Sequence, residues 1–261
     1  MGDGGFCQQA MTPRMSFRMA RGLRRELFRE IDEDVTKTWP LLQRRISMAR
    51  LPYRSGREAI AVYKSLREGL RAHCHAFGDT EMRGEVMAQG VVMVPDLVRR
   101  NSEEQEEVLT LRHCSAGVAP GRLVARVTDC GRISHHAIER MFERLDTLSK
   151  QTVLEDLEEA LRWLLVLHSR SAAASSHRRL LQLPIPTARG ILLCLRDPST
   201  GQLDVRTFVN REDNDRLDAS VAELEKWRQD SYGWTDSSVK SFDKLLNAPA
   251  NHWWRTPYMA A

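Results

Sequence analysis

The segment from Gly131 to Leu145 constrains the fold more than any other part of the sequence. Ser134 is a residue type that caps helix N-termini, and the apolar residues after it recur at helical spacing. The side chains expected to face the core are Ile138, Met141, Phe142 and Leu145. The pattern therefore predicts an amphipathic helix that begins at His135 and packs one face against the rest of the protein.

Helical periodicity marks four further segments, which are residues 14–35, 57–77, 151–168 and 212–229. In the first of them an apolar residue recurs every fourth position, and arginines cover much of the remaining surface. The residues of that apolar stripe are Met19, Leu23, Leu27 and Ile31. The N-terminal part of the chain is therefore predicted to be mainly helical.

Short β-like runs occur on both sides of these helices. Three precede Ser134 and are predicted to form a short antiparallel meander: residues 86–94, 107–113 and 122–128. Two more, at 190–196 and 203–209, flank the run Asp197-Pro-Ser-Thr-Gly201, whose proline and glycine indicate a hairpin turn. The predicted fold class is α+β, with a helical N-terminal part and a small antiparallel sheet packed with two or more helices.

The same patterns predict a division of the chain near residue 80. Residues 1–80 are predicted to form a basic, mainly helical N-terminal extension, and residues 81–261 an α+β domain that carries the candidate site. The chain ends in a segment rich in tryptophan and tyrosine, which we interpret as a contact surface for a protein partner. Its tryptophan and tyrosine residues include Trp227, Trp234, Trp253, Trp254 and Tyr258.

Basic residues are concentrated in the first part of the chain. Residues 1–100 carry 18 Lys and Arg against 12 Asp and Glu, whereas residues 101–261 carry 21 against 23. This excess favours a polyanionic partner, most often nucleic acid. The residues predicted to contact phosphates are Arg18, Arg21, Arg24, Arg25, Arg178 and Arg179. The alternative is a docked surface helix whose arginine face is exposed to solvent. A GC-rich genome would produce many arginines without any functional demand, and 33 of the 39 basic residues are arginine.

Cysteine usage and hydropathy bear on the compartment. Five scattered cysteines without a CxxC pair indicate free thiols in a reducing compartment, and the spacing of His73, Cys74 and His75 does not suit a zinc site. The longest apolar runs have five residues, whereas a membrane-spanning helix needs about 20. We therefore predict a cytoplasmic protein with no membrane association, no metal and no cofactor. Delivery by a specialised secretion machine would leave no mark in the sequence.

The residues best suited to chemistry lie on the helix after Ser134. His136, Arg140 and Arg144 recur at four-residue intervals on one face. The helix N-terminus and Arg140 disfavour a charged His136, which could then accept a proton near neutral pH, while the arginines bind a phosphate. A base and a cation are enough to cut RNA at its 2′-hydroxyl without a metal. The alternative is an exposed amphipathic helix whose arginines pair with Glu139 and Glu143.

The run His136-Ala-Ile-Glu-Arg-Met-Phe-Glu-Arg144 resembles the H-A-L-E-R-M-x-E-R helix signature of small bacterial domains grouped with the barnase/EndoU/colicin/RelE-like ribonuclease-toxin fold. In those domains a β-meander follows the helix and often carries a threonine or other polar residue on a late strand. Arg206 and Thr207 stand in a similar place. The resemblance implies catalytic roles for His136, Arg140 and Arg144, with Arg206 and Thr207 opposite them. The predicted helix 151–168 and the strands before the signature depart from that pattern.

Two functions from different classes follow. The first is a metal-independent, ribonuclease-like protein, such as a toxin or effector, that acts on RNA phosphodiesters. The second is a non-catalytic nucleic-acid-binding or accessory protein that uses the arginine-rich N-terminal helix. RNA is favoured over DNA as the partner in both, and the sequence leaves open whether the protein is an enzyme.

Overall fold

The computed structural model describes residues 15–49, 55–82, 85–99, 105–119, 122–171, 181–196 and 202–210. Several predicted features lie outside these residues: the helix at 212–229, the hairpin turn, Arg178, Arg179 and the aromatic C-terminal segment. The fold and the site are therefore built from the seven ranges above.

Four helices are present in the described chain: α1 (Phe17–Met48), α2 (Gly56–His73), α3 (His135–Leu145) and α4 (Lys150–Ser171). The first three each follow a serine whose side chain accepts an N–H bond from the first turn, namely Ser16, Ser55 and Ser134. The start of α3 at His135 and its cap at Ser134 are thus confirmed. Helix α2 ends earlier than predicted, and Phe77 lies in a strand.

Within the described residues, seven strands form a single curled sheet. They are β1 (Ala76–Met82), β2 (Glu85–Arg99), β3 (Gln105–Ala119), β4 (Arg122–Ser134), β5 (Leu181–Pro186), β6 (Gly190–Arg196) and β7 (Leu203–Asn210). Their spatial order is β1-β2-β3-β4-β7-β6-β5. All neighbouring strands are antiparallel except β4 and β7, which are parallel, so the sheet is a mixed half-barrel.

The prediction of a small antiparallel sheet is therefore wrong. Strands make up about 40% of the confidently placed chain, and two of them, β1 and β5, were not predicted. Strands β2 and β3 each have 15 residues, and residues 88–93 of β2 are all buried, so their sequence lacks the alternation that marks a half-exposed strand. Strand β5 is an outer strand that contains Pro184 and Pro186, which are tolerated at an edge but resemble a loop in the sequence.

The parallel contact between β4 and β7 joins the first four strands to the last three. Gly131 pairs with Leu203, and a Cβ atom at Gly131 would lie 2.3 Å from the Leu203 carbonyl oxygen. Only glycine permits this approach without displacement of β7. Beyond the ladder, Ser134 Oγ donates to the carbonyl oxygen of Arg206 at 3.2 Å, which brings β7 to the first turn of α3.

All four helices contribute to one hydrophobic core shared with the sheet. Helix α2 contacts β1 to β4, α3 contacts β7, and α4 contacts both outer strands, β1 and β5. The predicted domain boundary near residue 80 falls inside β1, between elements that share this core. No helix among the described residues is long and apolar enough to cross a membrane.

Candidate functional site

Helix α3 presents His136 and Arg140 on its outer face. Ile138, Met141 and Phe142 are completely buried, as the apolar spacing predicted. His136 and Arg140 are half-buried on the opposite arc and remain reachable from solvent. The amphipathic pattern of the helix thus places the predicted proton acceptor and the first phosphate-binding arginine side by side.

The side chains of His136 and Arg140 are in contact. Arg140 donates through Nε to Nε2 of His136 at 3.4 Å, and its Nη1 lies 2.7 Å from Oε2 of Glu143. Burial, followed by the positive charge of Arg140, lowers the pKa of His136 below its ordinary value, although Glu139 and Glu143 oppose the shift. The predicted direction is confirmed. A lowered pKa favours the neutral form of the imidazole, and Nε2 is the ring nitrogen that accepts the Arg140 N–H.

Strand β7 carries Arg206 and Thr207 beside α3. Leu193 of β6 pairs with Thr207 and Cys194 pairs with Val205, so Arg206 is the extra residue of a β-bulge. Bulges change the direction of side chains and are common beside functional sites. Arg206 Nη2 lies 2.5 Å from Asp204 Oδ2, whereas its Nε is buried without a hydrogen-bond partner.

Both ends of α3 are tied to β7. Ser134 bonds to the Arg206 carbonyl at the start of the helix, and Asn210 Nδ2 donates to the Arg144 carbonyl oxygen at 3.0 Å at its end. The helix and the strand therefore run alongside each other in the same direction. His136, in the first turn of α3, and Arg206 and Thr207 lie on elements that these bonds hold together.

Helix α1 lies against the other flank of α3. Arg24 Nε is 3.5 Å from Glu139 Oε1, and Arg21 Nε is 3.8 Å from the same oxygen. Arg24 also pairs with Glu107 of β3 and is only 4% exposed. Its guanidinium is therefore buried and held by protein carboxylates, which does not favour the predicted contact of Arg24 with a phosphate. Arg18, Arg21 and Arg25 are exposed.

The sequence did not predict the buried pair of Arg24 and Glu139. Both residues are charged, and the helix faces that carry them were expected to be exposed to solvent. A signal for it was present, since Arg24 precedes Leu27 and Ile31 at helical spacing and so falls on the apolar stripe. Glu139 is flanked by the buried residues Ile138 and Met141. Complementary charges at such positions indicate a helix–helix contact.

Metal-ligand geometry is not found at the site. Within the seven described ranges, no group of three His, Cys, Asp or Glu side chains is arranged to hold a metal ion. His75, of the His73-Cys74-His75 run, instead accepts the backbone N–H of Met93 through Nδ1 at 3.2 Å.

Comparison with family models, with curated proteins and with solved structures found no match to this chain. The function therefore has to be argued from the residues of the site.

Proposed function

We propose that the protein is a metal-independent, ribonuclease-like protein that acts on RNA phosphodiesters at the surface formed by α3 and β7. The observation that carries this proposal is the contact between Arg140 Nε and His136 Nε2. It pairs an imidazole whose pKa is lowered with a guanidinium on an accessible helix face. A proton acceptor and a phosphate-binding cation are the two groups that metal-free cleavage of RNA requires.

In the proposed reaction His136 accepts the proton of a ribose 2′-hydroxyl. The 2′-oxygen then attacks phosphorus, the bond to the 5′-oxygen breaks, and a 2′,3′-cyclic phosphate forms as the leaving 5′-oxygen takes a proton from solvent water. Arg140 moves from Glu143 and from His136 Nε2 to the phosphate, which frees that nitrogen for the proton and offsets the charge that develops at phosphorus. Arg144 and Arg206 contribute further positive charge. The need for a 2′-hydroxyl makes RNA, and not DNA, the substrate.

A second candidate is a non-catalytic RNA-binding protein, and two contacts favour it. Arg140 is paired with Glu143, and Arg206 with Asp204, so each cation already has a carboxylate partner within its own element. The exposed arginines of α1, which are Arg18, Arg21 and Arg25, would then supply the phosphate contacts. We also propose a cytoplasmic location, since the cysteines in the described residues are free thiols.

The test is incubation of the purified protein with RNA and with DNA, with and without a chelator. We expect chelator-resistant cleavage of RNA, and we expect His136→Ala to lower its rate by about 10²–10⁴-fold while RNA binding is retained. His135→Ala is the matched control, because its imidazole lies in the same turn but is directed to Glu106 at 3.5 Å.

Cleavage that His136→Ala leaves unchanged would contradict the catalytic assignment. Wild-type protein that binds RNA without cutting it would establish the second candidate instead. Protein that neither binds nor cuts RNA would overturn both.

A further inference from the structure

Phe17 is a large apolar side chain that is exposed and lies next to an arginine. It lies in the first turn of α1 and is 47% exposed. The guanidinium of Arg21, one turn further along, lies over its ring at 4.9 Å from the centroid. With nearly half of its surface exposed, the ring is not part of the buried core.

The contacts of α1 place Phe17 on the flank of α3, toward the C-terminal end of that helix. The backbone N–H of Met15 donates to Asp146 Oδ1 at 3.1 Å, just after α3 ends, whereas Arg21 approaches Glu139 in the middle of α3. The two helices therefore run antiparallel, and Phe17 lies between these two points of contact. His136 lies ten residues before Asp146, a rise of about 15 Å along α3, so a strand that contacts both Phe17 and His136 has to run along this flank.

We propose that Phe17 stacks on a base of a single-stranded RNA that crosses the α1–α3 flank to reach His136. This inference rests on the proposed function and adds to it the recognition of unpaired bases. An aromatic ring among arginines is the combination that proteins use to bind single strands, where phosphates meet the cations and a base meets the ring. The exposed arginines Arg18, Arg21 and Arg25 supply the charge complementarity.

A single strand fits this arrangement better than a duplex. In a duplex the faces of the bases are stacked on one another and closed to a protein side chain, whereas an unpaired base presents its whole face. An exposed ring can therefore stack on a base only in a single strand or at an end, and Phe17 selects for that form.

The test measures binding of fluorescently labelled, 2′-O-methyl oligonucleotides by anisotropy. These lack the 2′-hydroxyl nucleophile, so the proposed reaction cannot consume them. A single strand, a duplex of equal length and an abasic strand of equal charge are compared. We expect Phe17→Ala to weaken binding of the single strand about tenfold and Phe17→Trp to retain it. Binding of the abasic strand should be the same for all variants.

Met19→Ala is the matched control, since Met19 is an apolar residue of α1 with the same exposure, 50%, and it should leave all three affinities unchanged. Equal loss of the abasic strand in Phe17→Ala, or no loss for either strand, would overturn the proposal, as would tighter binding of the duplex.

The outcome is separable from that of the proposed function. Stacking without cleavage would support the role of Phe17 and contradict the proposed reaction. Cleavage that depends on His136 but not on Phe17 would do the reverse.

Discussion

Glu139 Oε1 of α3 lies 3.5 Å from Arg24 Nε of α1, and the two side chains are 1% and 5% exposed. Burial lowers the pKa of Arg24, although the carboxylate of Glu139 opposes this shift. A buried pair of this kind is costly to break, because the remaining charge is left without its partner. It fixes the arginine-rich helix against the helix that carries His136.

We expect Glu139→Ala to lower the free energy of unfolding by about 1–3 kcal/mol, because it leaves the buried Nε of Arg24 without a carboxylate while Nη1 keeps its contact with Glu107. Glu107→Ala is the control, since Glu107 binds the same arginine but is half-exposed, and it should cost about 1 kcal/mol or less. Urea unfolding of both variants measures the difference. Equal losses would show that burial does not govern the strength of this cluster.

Two glycine substitutions should have opposite effects. Gly131→Ala should destabilise the protein by about 1–3 kcal/mol, because its Cβ would lie 2.3 Å from the Leu203 carbonyl oxygen. Gly22→Ala should stabilise it by about 0.5–1 kcal/mol, since no atom lies within 4 Å of the added Cβ in the interior of α1. Thermal unfolding of the two variants tests the pair, and stabilisation by Gly131→Ala would contradict the close contact of β4 and β7.

His75 should make stability depend on pH. Burial lowers its pKa below the ordinary value of 6.5, and its Nδ1 must stay unprotonated to accept the Met93 N–H. The unfolded chain therefore binds a proton more readily, and the free energy of unfolding falls as the pH drops through about 6.5.

His75→Asn keeps an acceptor but does not titrate, so it should reduce this loss between about pH 7.5 and about pH 5.5. The comparison is made in a His136→Ala background, because the pKa of His136 is shifted in the same direction. Urea midpoints at the two pH values provide the measurement, and an unchanged pH dependence in His75→Asn would refute it.

Arg140 should control the titration of His136. Its positive charge is the second largest cause of the lowered pKa of His136, after burial. Arg140→Gln should therefore raise that pKa toward the ordinary value, and base-dependent cleavage should then begin at a higher pH than in the wild type. An NMR titration of the His136 ring reads the pKa directly, without reliance on activity. Arg144→Gln, one turn further along, serves as the control and should change it less.

Local signals in the sequence predicted α3 and α4 well, whereas α1 continues to Met48, past its predicted end near residue 35. The Ser134 cap and the buried residues Ile138, Met141 and Phe142 of α3 were predicted correctly, because capping and helical spacing are decided within one short segment. The hairpin formed by β6 and β7 was predicted for the same reason. His136 and Arg140 follow from the spacing alone, and their contact confirms that they share a face.

The remainder depended on contacts between distant segments. The parallel pairing of Gly131 with Leu203 leaves no local pattern, and the buried strand β2 shows no alternation. The residues around the site could not be predicted from the sequence either, because the approach of Arg21 to Glu139 depends on the docking of α1 against α3. Sequence periodicity describes each helix but not which helix it meets.

The parallel contact of β4 with β7 also has a consequence for the order of folding. The hairpins of β1 to β4, and of β5 to β7, form between strands that are neighbours in the sequence. Ser134 and Arg206, by contrast, are 72 positions apart, and the loop between them must close before α3 can lie along β7. Closing a long loop costs conformational entropy before any stabilising contact forms, and this cost slows folding. The surface that α3 and β7 form around His136 is therefore expected to assemble after the hairpins.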